Sequence, residues 1–316
     1  MLFLHFRYIL KLYMYNVYKM QGRYNMKSIT RNAYAKINLG LDVTGVLPNG
    51  YHEVKMIMQN VGICDTLTFT ERDDDRIVIE TDAGVLPTNE DNLVYKAVLL
   101  LRKLTGNEQG VTIKLTKRIP IAAGMAGGST DAAATLLGVN QLLGLGLSKE
   151  QLQKESVCIG ADVPYCVLGQ TALSEGIGEK LTPIAAPPHA YLVVAKPDIY
   201  VSTPVVYKKL DAKENYAHPD IDGMIEALER KDLQAVVDRL GNVLELVTVE
   251  DYPIVARIKE ILVDNGALGA LMSGSGPSVF AIFDNEETAK EACEKLAEAN
   301  LAKQLFVTTF QNGENV

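Results

Sequence analysis

Along the first part of the chain, from Ile29 to Val46, the residues alternate and carry little helical signal, and Leu47-Pro48-Asn49-Gly50 then marks a turn. Strands are expected on both sides of that turn. Thr66 to Thr70 and Ile77 to Glu80 read as further short strands separated by the acidic turn Asp73-Asp74-Asp75. The period then changes: Leu93, Ala97, Leu100, Leu101 and Leu104 recur at helical spacing and predict a helix over Asn92 to Lys103. Val111 to Leu115 reads as a strand and Ser129 to Leu143 as a helix, and another helix is predicted from Ser148, where Gln151 completes a capping box.

Beyond Gly169 turns and hairpins are expected, followed by a buried strand at Tyr191 to Ala195. Helices over Ile221 to Glu229, Tyr252 to Asn265 and Glu286 to Glu298 alternate with strands at Ala267 to Met272, Val279 to Phe283 and Leu305 to Thr309. The second half is therefore rich in βαβ units, and the whole reads as α+β in two domains. Pro183, Pro187 and Pro188 mark the expected junction, giving domains at 26–185 and 186–316. Residues 1–25, rich in Tyr, Phe and Leu but interrupted by His5, Arg7, Lys11 and Lys19, are read as an upstream extension of the frame, with Met26 opening the folded protein.

Composition narrows the function. A chain of 316 residues, 47% of them hydrophobic, buries a substantial core. Its formal net charge of -8 offers no general attraction to nucleic acid or to an anionic membrane, so neither is expected as a partner, and any phosphate must be held locally. Cys64, Cys158, Cys166 and Cys293 show no C-x-x-C spacing, which argues against a zinc site and fits reduced thiols in the cytoplasm.

The most informative stretch is Pro120-Ile121-Ala122-Ala123-Gly124-Met125-Ala126-Gly127-Gly128-Ser129. So many small residues let the backbone come close to a ligand, with successive amides aimed at one anion. Ser129 reads as the N-cap of the following helix, whose free first-turn N–H groups add a partial positive charge at the same place. Polyphosphate is the expected guest, although neither the G-x-x-x-x-G-K-[ST] loop nor the G-x-G-x-x-G dinucleotide signature is present. The competing explanation is a loop that merely lets a helix pack against a sheet.

This loop, Ala35-Lys36-Ile37-Asn38-Leu39 before it and Ser273-Gly274-Ser275-Gly276-Pro277-Ser278 after it resemble, in order, three motif regions of the GHMP kinases. The resemblance covers nearly everything after Met26. It implies a β-rich N-terminal domain with helices, a ferredoxin-like C-terminal domain, and phosphorylation of a small-molecule alcohol by ATP with Mg²⁺. Within the family, Asn49-Gly50-Tyr51-His52, Gly160-Ala161-Asp162-Val163-Pro164 and Ser202-Thr203-Pro204 resemble members acting on a cytidine diphosphate sugar-alcohol in the non-mevalonate route to isoprenoid precursors. Homoserine- or mevalonate-type kinases and a non-catalytic ATP-binding regulator are the alternatives.

The resemblance implies Asp162 as catalytic base and Lys36 as its cationic partner. It puts adenine near Asn92 and Leu93 and the phosphates along Ile119 to Ser129. Tyr51 and Tyr207 are implied to sandwich cytosine, His52 to hydrogen-bond its edge, and Asn38 and Thr203 to orient the rest of the acceptor. Each has an ordinary reading too: Asp162 a turn-capping carboxylate, Lys36 a solvated strand lysine, Tyr51 and His52 a plain hairpin pair. No metal-ligand cluster is visible in the sequence, so Mg²⁺ is expected to ride on the nucleotide, with Ser129 or Thr130 as the candidate protein oxygen. The family loop often carries glycine where this chain has Ala122 and Ala123.

Overall fold

The computed structural model describes residues 27–48 and 50–311. The expected extension at 1–25, the start at Met26 and the turn residue Asn49 lie outside the described residues. The alternation at the start of the chain builds one long antiparallel pair, β1 (Ser28–Val46) and β2 (His52–Glu71). The short strand expected at Thr66–Thr70 is the far end of β2. No proline interrupts that strand, and Gly62 is required where Thr308 Oγ1 lies 2.6 Å from the place a Cβ would take.

β3 (Ile77–Thr81), β4 (Val111–Thr116) and β8 (Gly241–Asn242) extend the pair into a sheet of order β3-β4-β2-β1-β8. The hairpin of β5 (Ala172–Glu175) and β6 (Lys180–Pro183) attaches to the other end of β2. A second, four-stranded sheet comprises β7 (Tyr191–Lys196), β9 (Gly269–Met272), β10 (Val279–Phe283) and β11 (Gln304–Thr309), antiparallel in the order β11-β7-β10-β9. With its connecting helices this is the ferredoxin-like arrangement expected for the second half. Of the proline cluster, Pro183 ends β6 and Pro187 and Pro188 fall between β6 and β7.

The helices are α1 (Leu93–Thr105), α2 (Gly127–Leu142), α3 (Lys149–Glu155), α4 (Val163–Leu168), α5 (Thr203–Leu210), α6 (Ile221–Glu229), α7 (Leu233–Val237), α8 (Glu245–Asp251), α9 (Ile254–Asp264) and α10 (Glu286–Glu298). Capping chemistry sets several ends. Asn92 caps α1 by accepting from the Val94 N–H, and Ser148 and Gln151 form the expected box at α3. The helix expected from Tyr252 starts at Ile254, with Pro253 at the cap position. Helices α4 and α5 were not foreseen, although Pro164 and Pro204 in their first turns are recognisable start signals.

Two buried clusters sandwich the first sheet. On one face Leu67, Phe69, Ile113 and Leu115 pack with Ala97 and Leu101 of α1 and Ala133 and Leu136 of α2. On the other, Ala35, Ile37, Leu39 and Ile57 share a cluster with Leu192, Val194, Phe280 and Ile282 of the second sheet. Each such large apolar side chain stabilises the fold by about 1.5–3 kcal/mol. Because alternate residues of a strand face opposite sides, burying Ala35, Ile37 and Leu39 turns Lys36 and Asn38 to the other face of β1. Both are nevertheless buried. The β1–β2 register shifts on either side of them, as strands often do beside sites where a side chain must be re-aimed.

Candidate active site

The glycine-rich loop takes an alternating conformation. Ala122, Gly124 and Ala126 have φ of 52°, 72° and 55°, while Ala123 and Met125 between them bury their side chains in the inter-sheet cluster. Such alternation turns successive N–H groups toward one side and makes an anion-binding concavity. Left-handed conformation costs an alanine about 1–2 kcal/mol, so Ala122 and Ala126 are held there by their surroundings.

Two anchors do this. The Lys36 N–H donates to the Met125 carbonyl at 3.2 Å, and the Ser273 hydroxyl donates to the Gly124 carbonyl at 2.9 Å. A Cβ on residue 124 would stand 2.2 Å from the Ser273 carbonyl oxygen, so this close approach admits only glycine. The third motif therefore clamps the loop, which is more than a tight strand connection.

Helix α2 begins at Gly127, two residues before the predicted start, and this corrects the expectation for Ser129. Ser129 is the third residue of the helix; the cap position belongs to Ala126, whose side chain has no acceptor. The small residues 126–128 allow the earlier start, and the first-turn amides keep their donor capacity for a ligand.

Two cavities meet at Gly124, Ala126 and Ser129, which line both. The smaller, about 370 Å³, is lined by Asn92, Leu93 and the loop residues Pro120, Ile121, Ala122, Ala123, Gly127 and Gly128. Ile119 and Met125, expected along the phosphates, turn their side chains into the core instead. The larger, about 740 Å³, is lined by Lys36, Asn38, Tyr51, His52, Asp162, Thr203 and Tyr207, so every expected catalytic and acceptor residue faces one space. Thr130 faces neither cavity, being buried in the first turn of α2.

Lys36 Nζ lies 3.8 Å from Asp162 Oδ2 and donates to Asn38 Oδ1 at 2.8 Å. The Asn38 amide in turn donates to the Met56 sulfur at 3.3 Å, which fixes its orientation. A solvated lysine is excluded, because the Lys36 side chain is only 6% exposed. Asp162 stands at the cap position of α4 but its side chain caps nothing, which removes the turn-capping reading. Its carboxylate, 32% exposed, is turned to the lysine and the cavity.

At the other end of the cavity Tyr207 and His52 stack with ring centroids 4.5 Å apart. Burial, reinforced by the nearby Asp162, pushes the Tyr207 phenol up to about 12. His52 Nε2 meets Asp211 Oδ1 at 2.8 Å, and Thr203 shares a 2.7 Å hydrogen bond with Ser275 of the third motif. Tyr51, just before β2, is the exposed aromatic of the group.

One cluster was not anticipated from the sequence. Lys117, just before the loop, bridges two buried carboxylates: it donates to Asp65 and, at 2.7 Å, to Asp131. Asp65 also accepts from the Arg118 and Ile119 N–H groups, which fixes the entry to the loop. Burial raises the Asp131 carboxyl to about 8; the Lys117 ammonium opposes the rise and Asp65 reinforces it. Lys117 and Asp131 both line the smaller cavity. Their one sequence signal was a lysine and an aspartate flanking the glycine-rich loop; Asp65 lies 52 residues from Lys117 and had none.

Among the described residues no group of three or more His, Cys, Asp or Glu side chains converges as a metal site, and no helix is long and apolar enough to cross a membrane.

Comparison with known proteins identifies the family. Sequence profiles described as GHMP kinases N terminal domain and GHMP kinases C terminal match residues 92–170 and 224–302. The chain is 50% identical over 291 residues to 4-diphosphocytidyl-2-C-methyl-D-erythritol kinase of Lachnoclostridium phytofermentans, covering 92% of this chain and 100% of that protein. It is 49% identical to the kinase of the same name from Lachnospira eligens, covering 90% and 98%. A crystal structure of 4-(cytidine 5'-diphospho)-2C-methyl-D-erythritol kinase superposes with a TM-score of 0.76 at 30% identity, over 90% of this chain and 100% of that one. Homoserine kinase from Cytophaga hutchinsonii, at 24% identity and a TM-score of 0.73 over 92% and 97%, shares the fold. With a glycine-rich loop of alternating conformation, a buried lysine facing a carboxylate and relatives of this similarity over nearly its whole length, the chain belongs to the GHMP kinase family.

Proposed function

We propose that the chain transfers the γ-phosphoryl group of ATP to the 2-hydroxyl of 4-diphosphocytidyl-2-C-methyl-D-erythritol, a step toward isoprenoid precursors by the non-mevalonate route. The observation that carries this reading is the Lys36–Asp162 pair, 3.8 Å apart, in a cavity that opens onto the amide cradle at Gly124, Ala126 and Ser129. Phosphoryl transfer needs two aligned oxygens, neutralised charge and a proton acceptor.

ATP enters the smaller cavity, adenine beside Asn92 and Leu93 and phosphates along the loop N–H groups, with Lys117 adding positive charge. The acceptor enters the larger cavity. Its cytosine lies between Tyr51 and Tyr207, His52 reads the base edge, and Asn38 and Thr203 orient the remainder. Asp162 takes the hydroxyl proton as the new O–P bond forms and the bond to the leaving ADP oxygen breaks. Lys36, held by Asn38, balances the negative charge that gathers at the reacting oxygen.

Mg²⁺ suits a site with few ligand side chains, the Ser129 hydroxyl among them, because it keeps waters and phosphate oxygens as most of its ligands. When bound it neutralises β- and γ-phosphate charge. We read the chain as two domains divided near 185/186, although each buried cluster draws on both halves. The four unpaired cysteines fit a reducing cytoplasm.

The test is Asp162→Asn with steady-state kinetics on both substrates. We expect kcat to fall about 10²–10⁴-fold, as for loss of a general base, with the KM for ATP nearly unchanged. Unchanged turnover would remove Asp162 from proton transfer. A parent protein that hydrolyses or binds ATP yet phosphorylates no cytidylyl alcohol would overturn the reading as a whole.

A further inference from the structure

Helix α5 holds the His52 ring in two directions at once. Tyr207 and Asp211 are four residues apart, on one face of the helix end. Tyr207 lies against the ring with a centroid separation of 4.5 Å, and Asp211 Oδ1 meets its edge at Nε2, 2.8 Å away. The His52 side chain is 13% exposed and so largely shielded at the cavity wall, while Asp211, which lines the same cavity, is 45% exposed.

A carboxylate has only acceptors to offer, so Nε2 must carry the shared proton. A neutral imidazole has one N–H, which leaves Nδ1 as an acceptor. Cytosine and uracil differ at C4, where one presents an amino donor and the other a carbonyl acceptor. An acceptor nitrogen pairs with the first and repels the second.

We infer that Asp211 is a positioning residue that sets the base selectivity of the acceptor pocket, holding His52 in the tautomer that accepts from the cytosine amino group and rejects uracil. The inference rests on the cytidylyl acceptor proposed above. It adds to that reading a residue at the edge of the same cavity that acts on the base through His52. Sites built around a hydrogen bond discriminate strongly, because the wrong ligand leaves buried polar groups unpaired.

The experiment compares kcat/KM for 4-diphosphocytidyl-2-C-methyl-D-erythritol and for its uridine analogue in the parent, Asp211→Ala and Asp211→Glu proteins. In parallel, two-bond ¹H–¹⁵N NMR of the imidazole rings reads the His52 tautomer in the parent, with the signal assigned by its loss in His52→Gln. The parent should hold Nε2–H and prefer the cytidine compound by about a hundredfold or more. Asp211→Ala should lower that preference at least about tenfold, chiefly through the KM of the cytidine compound, and Asp211→Glu should recover part of it.

An Nδ1–H tautomer or a doubly protonated ring in the parent at assay pH overturns the inference, whatever the variants do. So does an Asp211→Ala protein that loses activity toward both compounds equally. A parent inactive on both compounds overturns the kinase reading instead, and the tautomer, read in the parent and in Asp211→Ala, still decides whether Asp211 holds His52.

Discussion

The two cavities that meet at Gly124, Ala126 and Ser129 are built from different material. The smaller is made of main chain: alternating left-handed residues, small side chains and the first turn of α2. The larger is made of side chains brought from β1, the start of β2, the approach to α4 and helix α5. A main-chain site depends on shape, and its chemistry is the same whichever small residue supplies the amide. A side-chain site depends on identity, and each residue can be lost separately. Substitution should therefore damage the first by destabilising a loop and the second by removing one interaction.

The sharpest test of that contrast is Gly124→Ala. The added Cβ meets the Ser273 carbonyl oxygen and must also adopt a φ near 72°. Left-handed strain and overpacking together should cost about 3 kcal/mol, read as a lower urea midpoint, and the KM for ATP should rise with it. Residues of the acceptor pocket should show no such joint effect on folding and nucleotide. If Gly124→Ala matches the parent in both measurements, the clamp between the loop and the third motif is not what holds the cradle.

The sequence disclosed the two cavities unequally for the same reason. The cradle was legible because small residues before a helix leave a local signature, although the start of α2 was misplaced by two residues, since Ser129 looked like a cap and Ala126 did not. The strands and the βαβ-rich second half followed from periodicity and its ferredoxin-like arrangement from the family resemblance, whereas α4 and α5 are too short to show a period. Lys36, Asp162, His52 and Tyr207 carried no local pattern that joined them. Only a family resemblance did, because 126 residues of chain separate Lys36 from Asp162. Asp65, Lys117 and Asp131 went unseen, since a hydrogen-bonded bridge from β2 through Lys117 to α2 exists only after folding.

That bridge supplies the next test, a pH dependence that the side-chain cavity should not share. The Asp131 carboxyl is raised from 3.8 to about 8, so the folded protein holds a proton that the unfolded chain releases. The stability this provides is complete below about 4 and is lost as pH rises through 8. Between pH 6 and 8 the folding free energy should fall by up to about 1.4 kcal/mol per pH unit. Asp131→Asn should flatten the slope in urea titrations over that range. An equally steep slope in the variant would assign the dependence to other groups.

The smallest expected effect belongs to a single wall of the acceptor pocket. Tyr207→Leu keeps apolar volume but removes the aromatic face that stacks on His52 and, in the proposed complex, on cytosine. An aromatic pair is worth about 0.5–1.5 kcal/mol beyond its buried area, so the KM for the cytidylyl acceptor should rise about 3–10-fold. The KM for ATP should not move, because the smaller cavity, where ATP is proposed to bind, contains no part of α5. Tyr207→Phe separates ring from hydroxyl: the phenol, raised to about 12, stays neutral at assay pH, and losing it should leave acceptor binding near that of the parent. If Phe is as damaging as Leu, the hydroxyl and not the ring face is what the acceptor meets. If either variant raises the KM for ATP as well, the two cavities are coupled through more than the three residues they share.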